Sequence, residues 1–158
     1  MDLQQHWFAV LDALAAERVE HAVCGGFAVA IHGYPRLTND IDVLVLESDL
    51  DRARAALAAA GFTLDSGLLV FGAGTPKERR LWRVSKADGE DLVTVDLLLV
   101  GPSFVEVWRG RELHQLPQRK VTVVSRSGLA TMKRLAGRPR DLDDLRQLGL
   151  EPQEPDGR

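Results

Sequence analysis

Three aspartates in strand-like apolar runs are the residues whose chemistry is clearest in this sequence. Asp40 and Asp42 alternate with Ile41 and Val43, and Asp96 lies within the apolar run 93–99. Side chains alternate along a strand, so Asp40 and Asp42 face one side of it. Two carboxylates about 4 Å apart repel by roughly 4 kcal/mol at an effective dielectric near 20, and a divalent cation offsets this well.

A lone Asp96 in an apolar strand needs a partner, because a buried unpaired carboxylate is costly. If its strand lies beside the Asp40 strand, three carboxylates converge and could hold two Mg²⁺ or Mn²⁺ ions. The metal ligands predicted in this way are Asp40, Asp42 and Asp96. For Asp96, a strand-end cap or a salt bridge remains the alternative.

A glycine pair precedes the acidic strand, and thirteen residues separate Gly26 from Asp40. Gly25 and Gly26 follow the apolar segment 22–24 and precede a helical pattern beginning at Phe27. Glycine lets the backbone approach a ligand, and a helix start directs free N–H groups at an anion such as a triphosphate. By itself the pair is weak evidence, since many strand-to-helix turns use glycine for packing.

The elements that must position these residues alternate along the chain. The pattern predicts an amphipathic helix over 3–18, strands near 22–24, 40–46 and 93–100, several shorter strands, and two helices up to Leu148. In the second of these helices, Leu142, Leu145 and Leu148 form the expected apolar row. This order predicts an α/β (α+β) domain over 1–150, with a mixed β-sheet flanked by helices and a C-terminal helical pair. Residues 151–158 are expected to be a disordered tail.

The combination of glycines and aspartates resembles the signature of the polymerase-β-like nucleotidyltransferase superfamily. Residues 36–42 of this chain read Arg-Leu-Thr-Asn-Asp-Ile-Asp. This segment is similar to the corresponding segment of small bacterial members of the superfamily, including toxin-type members related to abortive-infection toxins. Residues 129–145 extend the likeness with a Lys…Arg-x-x-Asp-x-x-Asp-Leu pattern. The resemblance implies the nucleotidyltransferase fold, and it implies roles for five residues. Gly25 and Gly26 would hold the triphosphate, and Asp40, Asp42 and Asp96 would be the catalytic metal ligands.

Three further residues are candidates for nucleotide binding. Lys133 shares an apolar helical stripe with Leu129 and Ala136, so it needs an anionic partner such as a phosphate oxygen. A salt bridge to Asp141, or a side chain that reaches solvent, is the alternative. Arg36 and Thr38 adjoin the acidic strand and could contact the substrate, although Thr38 could instead order the turn. Asp141 could orient Lys133 or cap the last helix.

The resemblance implies a metal-dependent transfer of a nucleoside monophosphate from a triphosphate such as ATP to an acceptor hydroxyl. The acceptor could be tRNA or a protein, as for the toxin of a toxin–antitoxin system with an antitoxin partner, or a small molecule such as an aminoglycoside. Between residues 109 and 146 there are ten basic and four acidic residues, which leans slightly towards a nucleic-acid acceptor. The alternative from another class is a catalytically silent protein that keeps the fold to bind a partner.

Composition limits the remaining possibilities. The chain has 158 residues and a formal net charge of -3, so its overall charge gives no argument for general nucleic-acid affinity. Its single cysteine, Cys24, excludes an internal disulfide and favours a reducing compartment. No apolar run approaches the length of a membrane span, so we expect a cytoplasmic protein.

Overall fold

A mixed sheet organises the chain, and the computed structural model describes residues 2–150 of it. In these residues the sheet has seven strands in the order β3-β4-β5-β2-β1-β7-β6. The strands are β1 (His21–Cys24), β2 (Asp40–Val45), β3 (Leu64–Phe71), β4 (Arg79–Asp88), β5 (Asp91–Leu99), β6 (Glu112–Gln115) and β7 (Lys120–Val123).

Six α-helices accompany the strands in the described part of the chain. They are α1 (Leu3–Ala16), α2 (Gly25–Ile31), α3 (Leu50–Ala59), α4 (Val105–Arg109), α5 (Arg126–Ala136) and α6 (Pro139–Gln147). Short 3₁₀ turns precede α3 and α4. Within residues 2–150, no helix combines the length and the apolar character that crossing a membrane would require. The predicted α/β class, mixed sheet and C-terminal helical pair are confirmed.

The centre of the sheet is where the acidic strand lies. Strand β2 pairs with β5 in parallel and with β1 in antiparallel orientation, and β4 pairs antiparallel with β5. Ile41 and Val43 on one face of β2 are fully buried, as are Val95 and Leu97 of β5. The aliphatic residues that alternate with the carboxylates therefore anchor both strands in the core.

Local signals explain the boundaries of the C-terminal helical pair. The side chain of Ser125 accepts a hydrogen bond from the Gly128 N–H at 3.0 Å and so caps α5. Gly137 ends α5 in the left-handed conformation, with φ of 63°, and Pro139 opens α6, where a missing N–H costs little.

The expected apolar row of α6 is wrong at one position. Leu145 and Leu148 are buried, but Leu142 is 42% exposed. The buried face of the helix instead contains Asp141 and Asp144, each about 1% exposed. This face has the i, i+3, i+4, i+7 spacing of a buried helical stripe, but two of its members are carboxylates. The expected tail, residues 151–158, lies outside the described residues.

Candidate functional site

The three predicted metal ligands lie together on one face of the sheet. Asp42 of β2 is directly opposite Asp96 of β5 in the parallel register, and Asp40 lies two residues away on the same face as Asp42. All three line a cavity of about 460 Å³ between the sheet and the C-terminal helices. The same cavity is lined by Gly25, Gly26, Arg36, Thr38 and Lys133. The structure thus brings together every site residue that the sequence predicted.

Asp42 is in an unfavourable environment for its negative charge. Burial, together with the nearby carboxylates of Asp96 and Asp40, raises the pKa of Asp42 to about 7. The pKa of Asp40 is also raised, first by burial and then by Asp96, although Arg83 partly opposes this. Acidic charge is therefore concentrated at these two positions without full compensation.

Asp96 has a partner of its own, Arg83 of β4. The guanidinium donates from Nε to Oδ1 at 2.8 Å and from Nη2 to Oδ2 at 3.0 Å, and Asp96 is only 5% exposed. The salt bridge that was the alternative for Asp96 is thus present. In residues 2–150, no group of three histidine, cysteine, aspartate or glutamate side chains is arranged to hold a metal ion.

The glycine turn is required by close contact with the acidic strand. Gly25 has φ of 64°, in the left-handed region, and a Cβ there would lie 2.7 Å from the Cγ of Asp42. A Cβ on Gly26 would lie 2.6 Å from the Cβ of Thr38. The pair therefore lets the start of α2 pack directly against Asp42 and the connection that precedes β2. Cys24 next to it is buried, and burial together with Asp42 raises the pKa of its thiol, as expected for an inert side chain.

Thr38 and Arg36 are both held by protein groups. The hydroxyl of Thr38 donates to the Asp40 carbonyl at 3.2 Å, so it orders the entry to β2. Arg36 donates from Nε and Nη2 to the two carboxylate oxygens of Asp144, each at 2.7 Å. The connection before β2 is thereby fastened to α6, with Arg36 at the cavity wall.

Lys133 is buried beside two carboxylates of α6. Its Nζ lies 3.2 Å from Oδ1 of Asp141 and 2.9 Å from Oδ2 of Asp144, and the residue is 6% exposed. The salt bridge to Asp141 that sequence reasoning kept as an alternative is therefore present. An ammonium group has three donors. Two serve these carboxylates, and Lys133 still reaches the cavity lining.

Asp141 has both of the structural roles considered for it. It accepts from the backbone N–H of Arg138 at 3.1 Å, which caps α6, and it contacts Lys133. Burial alone would raise the pKa of Asp141, but hydrogen bonds from Arg138 and Lys133 and their charges hold it below its ordinary value. The pKa of Asp144 is lowered in the same way, against burial, by Arg36 and Lys133.

Comparison with solved structures identifies the fold of the chain. No protein-family profile and no curated protein sequence matches the chain. Among solved structures, TM1012 from Thermotoga maritima, a candidate nucleotidyltransferase, aligns over 91% of this chain and 90% of its own, with 16% identity and a TM-score of 0.60. The chain has a nucleotidyltransferase fold.

Two antibiotic-modifying enzymes share this nucleotidyltransferase fold. The lincosamide antibiotic adenylyltransferase LnuA, solved with lincomycin bound, aligns over 93% of this chain and 97% of its own, with 15% identity and a TM-score of 0.57. ANT(2″)-Ia, solved in complex with adenylyl-2″-tobramycin, aligns over 89% and 84%, with 14% identity and a TM-score of 0.54. The fold implied by the sequence resemblance is therefore confirmed.

Two residues of the site in this nucleotidyltransferase fold were not singled out from the sequence. Asp144 connects Arg36 to Lys133, and Arg83 pairs with Asp96. The signal for Asp144 was its spacing of three residues from Asp141, which puts both on one helical face. For Arg83 the sequence offers no signal until β4 is known to pair with β5.

Two of the three carboxylates suit a divalent cation, although no group of three is arranged around one in residues 2–150. Asp40 and Asp42 are carboxylates with raised pKa values, so a cation beside them would relieve repulsion that the neighbouring basic side chains offset only in part. Each carboxylate oxygen offers two lone pairs, and those of Asp96 accept hydrogen bonds from Arg83. Mg²⁺ and Mn²⁺ both prefer such oxygen ligands.

Proposed function

We propose that this protein is a metal-dependent nucleotidyltransferase that transfers a nucleoside monophosphate from a nucleoside triphosphate to an acceptor hydroxyl. One observation carries the proposal. Asp42 and Asp96 lie opposite each other on neighbouring parallel strands, and the Gly25 turn packs directly against Asp42 in the same cavity. Carboxylates that would hold metal ions thus adjoin the helix start whose backbone would meet the phosphates.

Each residue has a role in this reaction. Asp40, Asp42 and Asp96 would hold Mg²⁺ or Mn²⁺, which when bound lowers the pKa of an attacking hydroxyl and neutralises phosphate charge. Gly25 and Gly26 let the start of α2 pack against Asp42 and Thr38 at the cavity wall, where its backbone would meet the triphosphate, and Lys133 and Arg36 would add positive charge there. Thr38 keeps the entry to β2 in place. Most of the rate enhancement would come from positioning and charge stabilisation.

The proposed transfer replaces one phosphorus–oxygen bond with another. The acceptor oxygen forms a bond to the α-phosphorus, and the bond from that phosphorus to the bridging oxygen of the β-phosphate breaks. Pyrophosphate leaves with the electron pair of the broken bond. The proton of the acceptor hydroxyl passes to a carboxylate oxygen of Asp96, which lies on the strand opposite Asp42.

The charge of the residues that line the cavity indicates which class of acceptor it would favour. Among the described residues that line it, seven are basic and four are acidic, and the basic ones are Arg36, Arg79, Arg80, Arg83, Lys133, Arg138 and Arg140. Five of these pair with carboxylates, so the positive charge that would favour an anionic acceptor over a polycation such as an aminoglycoside is carried chiefly by Arg79 and Arg140. We therefore place RNA first among acceptors, with a protein hydroxyl second and a small antibiotic third.

Calorimetry with Mn²⁺ and each of the four nucleotides tests the metal site. We expect heats of binding for the wild-type protein that are lost in Asp42→Asn, because this substitution removes a ligand charge with little change in shape. The matched control is Asp51→Asn, whose carboxylate is 96% exposed on α3. Equal heats for wild type and Asp42→Asn would refute the metal-site proposal.

Incubation with α-³²P-labelled nucleotides and cell lysate tests the transfer itself. A labelled product that ribonuclease destroys and protease leaves intact identifies RNA as the acceptor, and the reverse pattern identifies a protein. Metal and nucleotide binding without any labelled product would instead support the catalytically silent, partner-binding alternative.

Expression in a bacterial host tests the toxin hypothesis separately. Growth arrest with the wild type, absent with Asp40→Ala, is expected of a toxin that has a cognate antitoxin. Normal growth at matched protein levels argues against it, without affecting the proposed chemistry.

A further inference from the structure

Arg83 already provides a positive charge at one of the proposed metal ligands. It faces Asp96 across the antiparallel β4–β5 pair, and its two donors reach both carboxylate oxygens, at 2.8 and 3.0 Å. A bidentate arginine–carboxylate pair of this kind is a strong and directional interaction. The guanidinium therefore occupies the charge position that a metal ion at Asp96 would take.

The two partners differ in how easily they can move. Asp96 is fixed in the centre of the sheet, between the fully buried Val95 and Leu97, and its side chain is 7% exposed. The Arg83 side chain is 37% exposed at the cavity wall. In residues 2–150, both hydrogen bonds recorded for its guanidinium go to Asp96. If the pair separates, Arg83 is the partner that can swing away without disturbing the core.

We propose that Arg83 is the counterion of Asp96 in the metal-free protein and is exchanged for a metal ion when the nucleotide arrives. This inference rests on the proposed function, because it concerns the same metal site. A divalent cation at Asp42 and Asp96 would repel the guanidinium, while the incoming triphosphate offers it a new anionic partner. Arg83 is then a positioning residue that couples metal binding to nucleotide binding.

The exchange has a thermodynamic consequence. Metal alone must displace an internal cation and leave it without a carboxylate, so its affinity is low. Metal together with nucleotide gives Arg83 a phosphate partner, so each ligand strengthens the binding of the other by the same factor. The protein would thus keep its carboxylates compensated until a complete substrate is present.

The competing arrangement gives the opposite result. If Arg83 stays on Asp96 and orients it as an outer hydrogen-bond donor to a metal ligand, its removal weakens metal binding. Tighter metal binding after removal of Arg83 indicates exchange, and weaker binding indicates that Arg83 orients Asp96. Neither result depends on catalytic activity.

Titration of Mn²⁺ by calorimetry, with and without a non-hydrolysable nucleotide, provides the test. We expect Arg83→Ala to bind Mn²⁺ alone about tenfold more tightly than wild type, and the strengthening by nucleotide to shrink by a similar factor. Arg83→Lys keeps the charge but loses the fork, so an intermediate affinity is expected. The control is Arg54→Ala, which removes an exposed arginine–aspartate pair with Asp65 outside the cavity and should leave Mn²⁺ binding unchanged.

The outcomes are separable from the proposed function. Mn²⁺ binding by Arg83→Ala that equals or falls below wild type overturns the exchange, while Asp42-dependent binding by wild type leaves the proposed function standing. Absence of Mn²⁺ binding by all variants, even with nucleotide, refutes both. Thermal unfolding verifies that each variant is folded, and Arg83→Lys carries the test should Arg83→Ala not fold.

Discussion

At the scale of single residues, the contact between Gly25 and Asp42 determines how the site is built. The turn at Gly25 combines a left-handed backbone with a carboxylate placed where any side chain would be. Asp42 is consequently held against the start of α2, and its pKa is raised to about 7 chiefly by burial. A single methyl group at Gly25 would therefore disturb the backbone turn and the proposed metal ligand together.

Gly25→Ala should destabilise the protein by about 2–4 kcal/mol, the sum of left-handed strain and displacement of Asp42. Urea unfolding measures this change. Gly89→Ala is the matched control, because Gly89 has nearly the same φ, 61° against 64°, with nothing within 4 Å of a Cβ. The control should cost only about 1 kcal/mol. Equal losses for the two variants would show that the contact with Asp42 contributes nothing.

Alternation along β2 was enough to predict that Asp40 and Asp42 share a face, because a strand has a strict period of two. The reason for glycine at position 25 was not predictable in the same way. The sequence suggested phosphate contact, but the immediate steric cause is Asp42, seventeen positions later in the chain. A contact of this kind depends on how β1 and β2 pair, which local patterns do not contain.

At the scale of elements, α6 is a helix that packs through carboxylates. Asp144 lies between two cations, with Arg36 from the connection before β2 on one side and Lys133 of α5 on the other. All three side chains are largely buried, at 1%, 14% and 8% exposure respectively. The helix therefore fastens two otherwise separate segments of the cavity wall through one side chain.

Asp144→Asn should destabilise the protein by about 3 kcal/mol, because it leaves the buried Arg36 without its carboxylate and Lys133 with Asp141 alone. Chemical denaturation measures the loss. Asp143→Asn on the same helix is the control, since its pair with Arg146 is exposed and long, at 3.5 Å, and should contribute under about 0.5 kcal/mol. Similar stabilities for the two variants would contradict the structural role of Asp144.

The same helix shows why its orientation was predicted incompletely. A pattern read from leucines alone placed Leu142 inside, whereas the two aspartates occupy the buried positions. Burying an aspartate is favourable only when cations meet it, and the cations come from other elements. Leu129, Lys133 and Ala136 did predict an inward-facing lysine, because that stripe lies within a single helix.

At the scale of the whole molecule, Asp42 links stability to pH. Its folded pKa of about 7 lies above the ordinary 3.8, so the folded state holds a proton between these values that the unfolded state has lost. The stabilising effect of that proton is complete below about pH 3.8. It is lost as pH rises through 7, where Asp42 must be charged inside the fold.

Without metal, Asp42→Asn should therefore be more stable than wild type, and its advantage should grow from pH 5 to pH 8 by about 1–2 kcal/mol. Calorimetric unfolding at both pH values measures it. The lowered pKa values of Asp141 and Asp144 keep these groups ionised throughout that range, so they do not contribute to the change. If the stability advantage of Asp42→Asn shrinks as the pH rises, the pKa of Asp42 is not raised in the folded protein.

The fold as a whole was predictable to the level of class, because the helices and strands have clear periods and glycine or proline boundaries. The order of the seven strands was not, since β3 and β4 at one edge and β6 and β7 at the other depend on long-range pairing. For the same reason the sequence identified the acidic trio and Lys133 but missed Arg83, whose partner is set by the β4–β5 register.

The pairing of Arg36 with Asp144 also affects the order in which contacts can form during synthesis of the chain. These residues are 108 positions apart, so at about 5–20 residues per second roughly 5–20 s pass between their synthesis. During that interval the central strands can pair while Arg36 still lacks its counter-charge and Lys133 has not yet been made. Strand β2 thus emerges from the ribosome well before Lys133, Arg138 and Arg140, the three C-terminal cations of the cavity wall. A chain arrested before α5 begins would present the aspartates without these three cations.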